Sequence, residues 1–352
     1  MKRFLTPFLL VVLPLVIVGC GGGGGDLAPG FDASAYKFTA FTPANTPSLG
    51  NSDVRAILPV DTDTIRRLYV GTAAGLYVAD PTLSTLTFTK VTDAGLPTDA
   101  LSQSINALLY TKAGEVWIGT DGGLFTMNLT TGVVTVVNRL KGEMVTALAQ
   151  QKSNLYWVGL ATTTASTTAL ASTTNGIDFS FYGKDQGMTA SRVVMIHATE
   201  DPALVVACGQ GQAGKGGLFK FNVSLNSFSV MDAPLTNGAT LFTALGTTYY
   251  AGGPGSGLLY QAERDGAWKT LIADITPYAF NAIAYGSGYR TWIGANDGLR
   301  LTFDLANFKA FTTGNGLASN TCTTVRQSTM GTFIGHGGGT DGGLSRADLV
   351  GG

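Results

Sequence analysis

VWIGTDGGLF, Val116 to Phe125, is the stretch that decides the fold of this chain. Val116, Trp117 and Ile118 are β-branched or aromatic and suit a pleated, buried surface. Asp121-Gly122-Gly123 offers the positive φ angles of a hairpin turn, and Leu124-Phe125 opens a second strand. Degenerate copies follow the same order: RLYVGTAAGLYV, LYWVGL…NGIDF, LVVACGQGQAGKGGLFKF, TYYAGGPGSGLLY, RTWIGANDGLRL and GTFIGHGGGTDGGLSRA. Seven short-stranded units, spaced by about 40–50 residues, mean a β-propeller or a similar array.

The bulk composition agrees. A chain of 352 residues can bury a large core, and the repeat argues for one closed unit. Its 48 glycines sit at recurring turn positions. Charged residues make up only 13 %, and the formal net charge is −1. That is not the basic footprint of a nucleic-acid binder. Cys208 and Cys322 fall in strands of different repeats and read as two buried thiols, with no metal-type spacing.

Outward from the repeats lies the N-terminus. Lys2 and Arg3 precede an apolar run from Phe4 to Val18, which ends Ile17-Val18-Gly19 before Cys20. The run is short for a membrane span and carries the charge layout of a secretory signal. It resembles a bacterial lipoprotein signal, residues 1–19. That resemblance implies cleavage before Cys20, lipid attachment at its thiol, and a lipid anchor as the only hold on the membrane. Gly21 to Gly25 supply a flexible tether within residues 20–35. No aspartate follows Cys20, which points to the bacterial outer membrane, on either its periplasmic or its surface face.

The propeller is expected over residues 36–352. Inner strands align as VRAI, INAL, VTAL, VVMI, FTAL, FNAI and CTTV, beginning at Val54, Ile105, Val145, Val193, Phe242, Phe280 and Cys322. Third strands are expected to begin at Leu76, Leu124, Ile177, Leu218, Leu258, Leu299 and Leu344. The last blade runs out of chain after three strands. FTAFTPANTPSLGNSDV, Phe38 to Val54, echoes NFKAFTTGNGLASNTCTTV, Asn307 to Val325. The fold expected is therefore all-β, a seven-bladed β-propeller closed by the N-terminal strand completing the last blade; closure removes two exposed sheet edges. Long insertions, Leu160–Asn175, Gln210–Gly216 and His336–Asp341, fall between second and third strands. Those loops share one rim with the crossings between blades.

At these residues the chain resembles the two-component regulator propeller repeat, whose units read like "lWiGT.gGl" and "nGL..n.V.ai". The match is best at Val116–Phe125, at Thr291–Leu299, and from Asn315-Gly316-Leu317 to Val325. It spans Tyr36 to Asp348. In that family such propellers form extracytoplasmic sensing parts of signalling proteins. The resemblance implies a seven-bladed scaffold and a binding role. This chain departs from the family in having one propeller and no kinase or DNA-binding region. STTNGIDF, Ser172 to Phe179, looks like a degraded Asp-box hairpin.

Chemistry is sparse. The two histidines are His197, in an apolar strand and read as packed, and His336, among glycines, which could face a ligand. No catalytic residue set, cofactor motif or metal motif is legible. GTDGG and GGTDGG read as turns, because they lack the lysine of a phosphate loop and the spaced carboxylates of a calcium loop. Asp121, Asp297 and Asp341 are read as holding like positions in three blades. With Arg192 and His336 they are the candidate binding-face residues. Arg55, near the axis, suits either an anionic group or pairing between blades. Trp117, Trp157 and Trp292 recur at one strand position and read as blade packing.

Three functions follow as expectations. The first is an envelope lipoprotein, a monomeric propeller that binds a protein, peptide or glycan, with no cofactor and no nucleic acid. The second is a lyase or hydrolase, which requires a histidine in the channel beside a carboxylate. The third is a purely structural lipoprotein, which requires a filled channel.

Overall fold

The computed structural model describes residues 35–350, apart from residues 94, 152–153, 163–167, 199–203, 211–215, 263–265, 274–278, 287–289 and 338–340. The leader, Cys20 and the glycine tether lie outside the described residues.

Among the described residues the strands form seven four-stranded antiparallel sheets. In the second blade the strands are Ile105–Tyr110, Glu115–Thr120, Gly123–Asn128 and Val134–Val136. The turn in VWIGTDGGLF differs from expectation in one respect. Of Asp121, Gly122 and Gly123, only Gly123 carries a positive φ, at 143°. Thr120 explains the shape. Its hydroxyl donates to the Gly123 carbonyl at 3.0 Å and accepts from the Gly122 N–H at 3.0 Å, so a side chain ties the turn. Thr72 does the same in the first blade.

The ring closes as the sequence predicts. Tyr36–Phe41 is the fourth strand of the last blade, beside Gly343–Leu349, with Phe38 opposite Ala347 and Phe41 opposite Leu344. Tyr36 and Phe38 meet the Trp292 indole edge to face, at 5.1 and 6.3 Å, so the closing strand also packs on the sixth blade. Trp117, Trp157 and Trp292 are all buried in such contacts. Cys208 and Cys322 are free and fully buried.

One strand lies elsewhere than the sequence pattern predicts. The third strand of the third blade is Thr168–Thr173, not a segment starting at Ile177. Ala169, Leu170 and Ala171 are buried there, while Ile177 is 73 % exposed. The small alanines are filled out by Trp157 and Tyr182 on one side and Trp117 and Tyr156 on the other. Residues 169–173 of the Thr-rich stretch are therefore core. The Asp-box-like segment is the turn that follows, where Asn175 accepts from the Ile177 and Asp178 N–H groups. Asp304 holds the equivalent turn of the sixth blade in the same way.

Blades interlock by a repeated knob and hole. A Cβ on Gly71, Gly119, Gly159 or Gly335 would fall within 2.5 to 2.8 Å of Ile105, Val145, Val193 or Val54, at the start of the next blade's inner strand. Those glycines are holes for branched knobs. Between the fourth and fifth blades the hole is Ala207 and the knob is Ala239, both fully buried. A methyl gained on one wall is matched by methyls lost from the other.

Candidate functional site

The site is built from one irregularity repeated around the axis. In six blades the register between first and second strands slips by one residue near the start of the inner strand. The residues left unpaired are Arg55, Asn106, Thr146, Val194, Asn281 and Thr323. A bulge turns its extra residue out of the ladder, and all six line the central channel, as does Thr240 at the matching place in the fifth blade.

These side chains reach across to the next blade. Asn106 donates to the Val145 carbonyl at 3.1 Å, Thr146 to Val193 at 2.6 Å, and Thr240 to Phe280 at 2.5 Å. Asn281 donates to Cys322 at 3.0 Å, and Thr323 donates to Val54 at 2.5 Å across the closure. Arg55 reaches Ser104 and Asn106 at 2.8 and 3.2 Å. Val194 has no donor. There the Ala239 N–H bonds the Cys208 carbonyl at 2.9 Å instead. The seam with the altered knob is thus also the seam held by backbone.

The turns between second and third strands do share a rim with the blade crossings. Ala73, Asp121, Gly209, Asn296 and Gly337 each bond through their N–H to the carbonyl of the residue before or near the start of an inner strand. Long connections are not confined to that rim, however. The fourth blade joins its first and second strands through residues 198–204, and the first blade joins its third and fourth through residues 80–88. Clustering of insertions therefore does not single out one face. Residues 163–167, 211–215 and 338–340 lie outside the described residues.

The candidate binding residues separate on inspection. Arg192 and Asp341 are exposed on the rim. Asp121 is half-buried and accepts from Asn106 at 2.7 Å. Asp297 is not its counterpart. The strand register matches Thr120–Gly123 to Ala295–Gly298, so Asn296 takes the place of Asp121, and it likewise accepts from Asn281 at 2.7 Å. Asp297 sits one residue on and holds Arg300 in a two-pronged pair at 2.6 and 2.7 Å. Asp341 belongs to the longer turn of the seventh blade. The three aspartates form no ring.

His336 is corrected more sharply. It ends the second strand of the seventh blade and is fully buried. Its Nε2 lies 2.8 Å from the Ser345 hydroxyl and its Nδ1 lies 3.8 Å from the Cys322 sulfur. Burial drops its pKa to about 4, so the ring is neutral at pH 7. Its place inside the closing blade leaves it no surface to offer a partner. His197 packs against Phe242 and is also held below its ordinary pKa by burial. Neither histidine lines the channel.

The channel is an open cavity of about 460 Å³. Its mouth carries the ring of bulge residues. Below lie Ala56, Ala107, Ala147 and Ala282 with Ile57, Leu108, Leu148 and Ile283. Arg55 is paired with Asp53 of its own blade at 2.9 Å, and its bonds to Ser104 and Asn106 are the contact between blades, the second of its two readings. A second arginine, Arg326, was not anticipated. It replaces the Leu58 and Leu109 of other blades, a difference that shows only once the blades are aligned by their register. Among the described residues no His, Cys, Asp and Glu cluster could hold a metal, and no helix is long and apolar enough to cross a membrane.

No family model matches the chain, and no curated protein matches it by sequence. Solved structures do match. The extracellular domain of a one component system from B. thetaiotaomicron superposes with a TM-score of 0.70 at 15 % identity, covering 90 % of this chain and 40 % of that one. The extracellular domain of a hybrid two component system from the same organism gives 0.71 at 16 %, covering 89 % and 42 %. A streptogramin B lyase gives 0.62 at 9 %, covering 89 % and 98 %. The likeness is one of fold. The chain spans about two fifths of the length of those extracellular domains.

Proposed function

We propose that the chain is a binding module of the bacterial envelope, anchored through lipid on Cys20, in which the rim around the channel mouth docks a protein, peptide or glycan. One observation carries this reading: the axis is an open cavity with a polar mouth. A purely structural ring needs a filled axis. A propeller lyase or hydrolase of the expected kind needs a histidine in the channel, and both histidines lie elsewhere. A rigid scaffold that presents a concave polar mouth is the usual setting for binding. The similarity to sensor domains supports an extracytoplasmic sensing role at the same coarse level. The outer membrane is the location the leader suggests.

The test is crosslinking in intact cells with mass spectrometry of captured species. Arg192→Glu with Asp341→Lys alters the rim, and Asp63→Lys with Lys112→Glu alters the opposite face. The rim pair is expected to cut capture about tenfold or more, the scale of lost charge contacts at an interface. Equal loss from both pairs contradicts the assignment.

A further inference from the structure

The channel wall holds two arginines and no acidic residue. Arg55 is neutralised by Asp53. Arg326 is not. Among the described residues its side chain makes one hydrogen bond, from Nη1 to the Val325 carbonyl at 3.2 Å. Among the described residues no carboxylate lies within ion-pair distance of it. Its side chain is exposed to the channel, yet the surrounding wall is dense enough to lower its pKa by desolvation. It sits three residues below Thr323, about 10 Å along the strand. One residue nearer the mouth the wall is aliphatic, with Ile57, Leu148, Ile196 and Ile283.

A guanidinium without a counter-charge in an apolar wall is costly to hold. A carboxylate can meet its planar fork with two parallel hydrogen bonds. One cation balances one negative charge. A phosphate dianion would leave a charge uncompensated against hydrocarbon. The cavity volume falls in the ordinary range for small-molecule pockets, about 300–1,000 Å³. We propose that the channel binds a small amphipathic carboxylate, its charged end paired with Arg326 and its hydrocarbon body against the aliphatic wall. This deepens the binding reading by naming a ligand class for the axis.

Calorimetric titration of the full chain carrying Cys20→Ser tests it, with octanoate, 1-octanol and octylammonium as probes. Octanoate is expected to bind about tenfold or more tighter than either of the others. Arg326→Leu, which restores the residue found at positions 58 and 109, is expected to lose that advantage while keeping its thermal midpoint. The scale is that of one charge-assisted, two-pronged pair. Equal affinity for octanoate and 1-octanol, octanoate affinity retained in Arg326→Leu, or no octanoate binding at millimolar concentration overturns the proposal. If Arg326→Leu does not fold, the comparison among the three probes decides alone. Partner capture through the rim is read separately, so failure here with capture intact sinks this inference and leaves the binding reading standing.

Discussion

His336 Nε2 meets the Ser345 hydroxyl and the ring is otherwise sealed from water. Its folded pKa of about 4 lies below the unfolded value of 6.5. The unfolded chain therefore binds the extra proton first. Stability is full above pH 6.5 and falls as pH drops from 6.5 to about 4, by about 3 kcal/mol in total. Asp304, Asp80, Asp93 and Asp99 are held below the usual carboxylate pKa of 3.8 by hydrogen bonds, so they act at lower pH; His197, also held low by burial, acts below pH 6.5 too and leaves part of the pH dependence in the variant. Urea titrations of the wild type and His336→Gln at pH 7 and pH 4.5 check this. The variant should lose much of the pH dependence; an equal drop in both would contradict the assignment. In the sequence His336 stood among glycines and read as a surface residue. Only the strand pairing, which sets it opposite Gly343, shows that it faces inward. Arg326 was missed for the opposite reason. A single arginine in TTVRQS carries no local sign of the cavity beside it.

At the scale of the element, strands were legible wherever large apolar residues alternate with turn glycines, as in EVWIGTDGGLF. They were misread where alanine replaces the large residue, as at Thr168–Thr173, because a strand of small residues declares itself only through the aromatic neighbours that fill its space. The contact between blades was invisible for a related reason. That Gly119 receives Val145 is a fact about two strands in register, and neither strand states it alone. It predicts a coupled pair. Gly119→Ala would place a Cβ 2.6 Å from a Val145 methyl, an overpacking worth about 1–3 kcal/mol. Val145→Ala alone opens a cavity costing roughly 2 kcal/mol. Together they recreate the Ala207–Ala239 seam. Denaturant unfolding of the double variant should show a loss smaller than the sum of the singles by about 1 kcal/mol or more. Strict additivity would mean that the glycine is not a hole for the valine.

For the whole molecule the count of blades and the way the ring shuts were readable, because both depend on repeated pattern and on chain ends that complement each other. The face that binds was not readable, since loop length varies on both faces and a channel is a property of seven strands at once. Closure is the claim on which the mouth, the axis and every inter-blade contact depend. It sets Lys37 opposite Asp348, from opposite ends of the chain. The most direct measurement replaces both with cysteine and follows disulfide formation under mild oxidation, mapped by peptide mass spectrometry. The buried Cys208 and Cys322 should take no part. The account predicts a bond between positions 37 and 348 in the native protein, formed without loss of its folded signal and absent when the same chain is oxidised in denaturant at low concentration. A native protein in which those two thiols stay unpaired would contradict it.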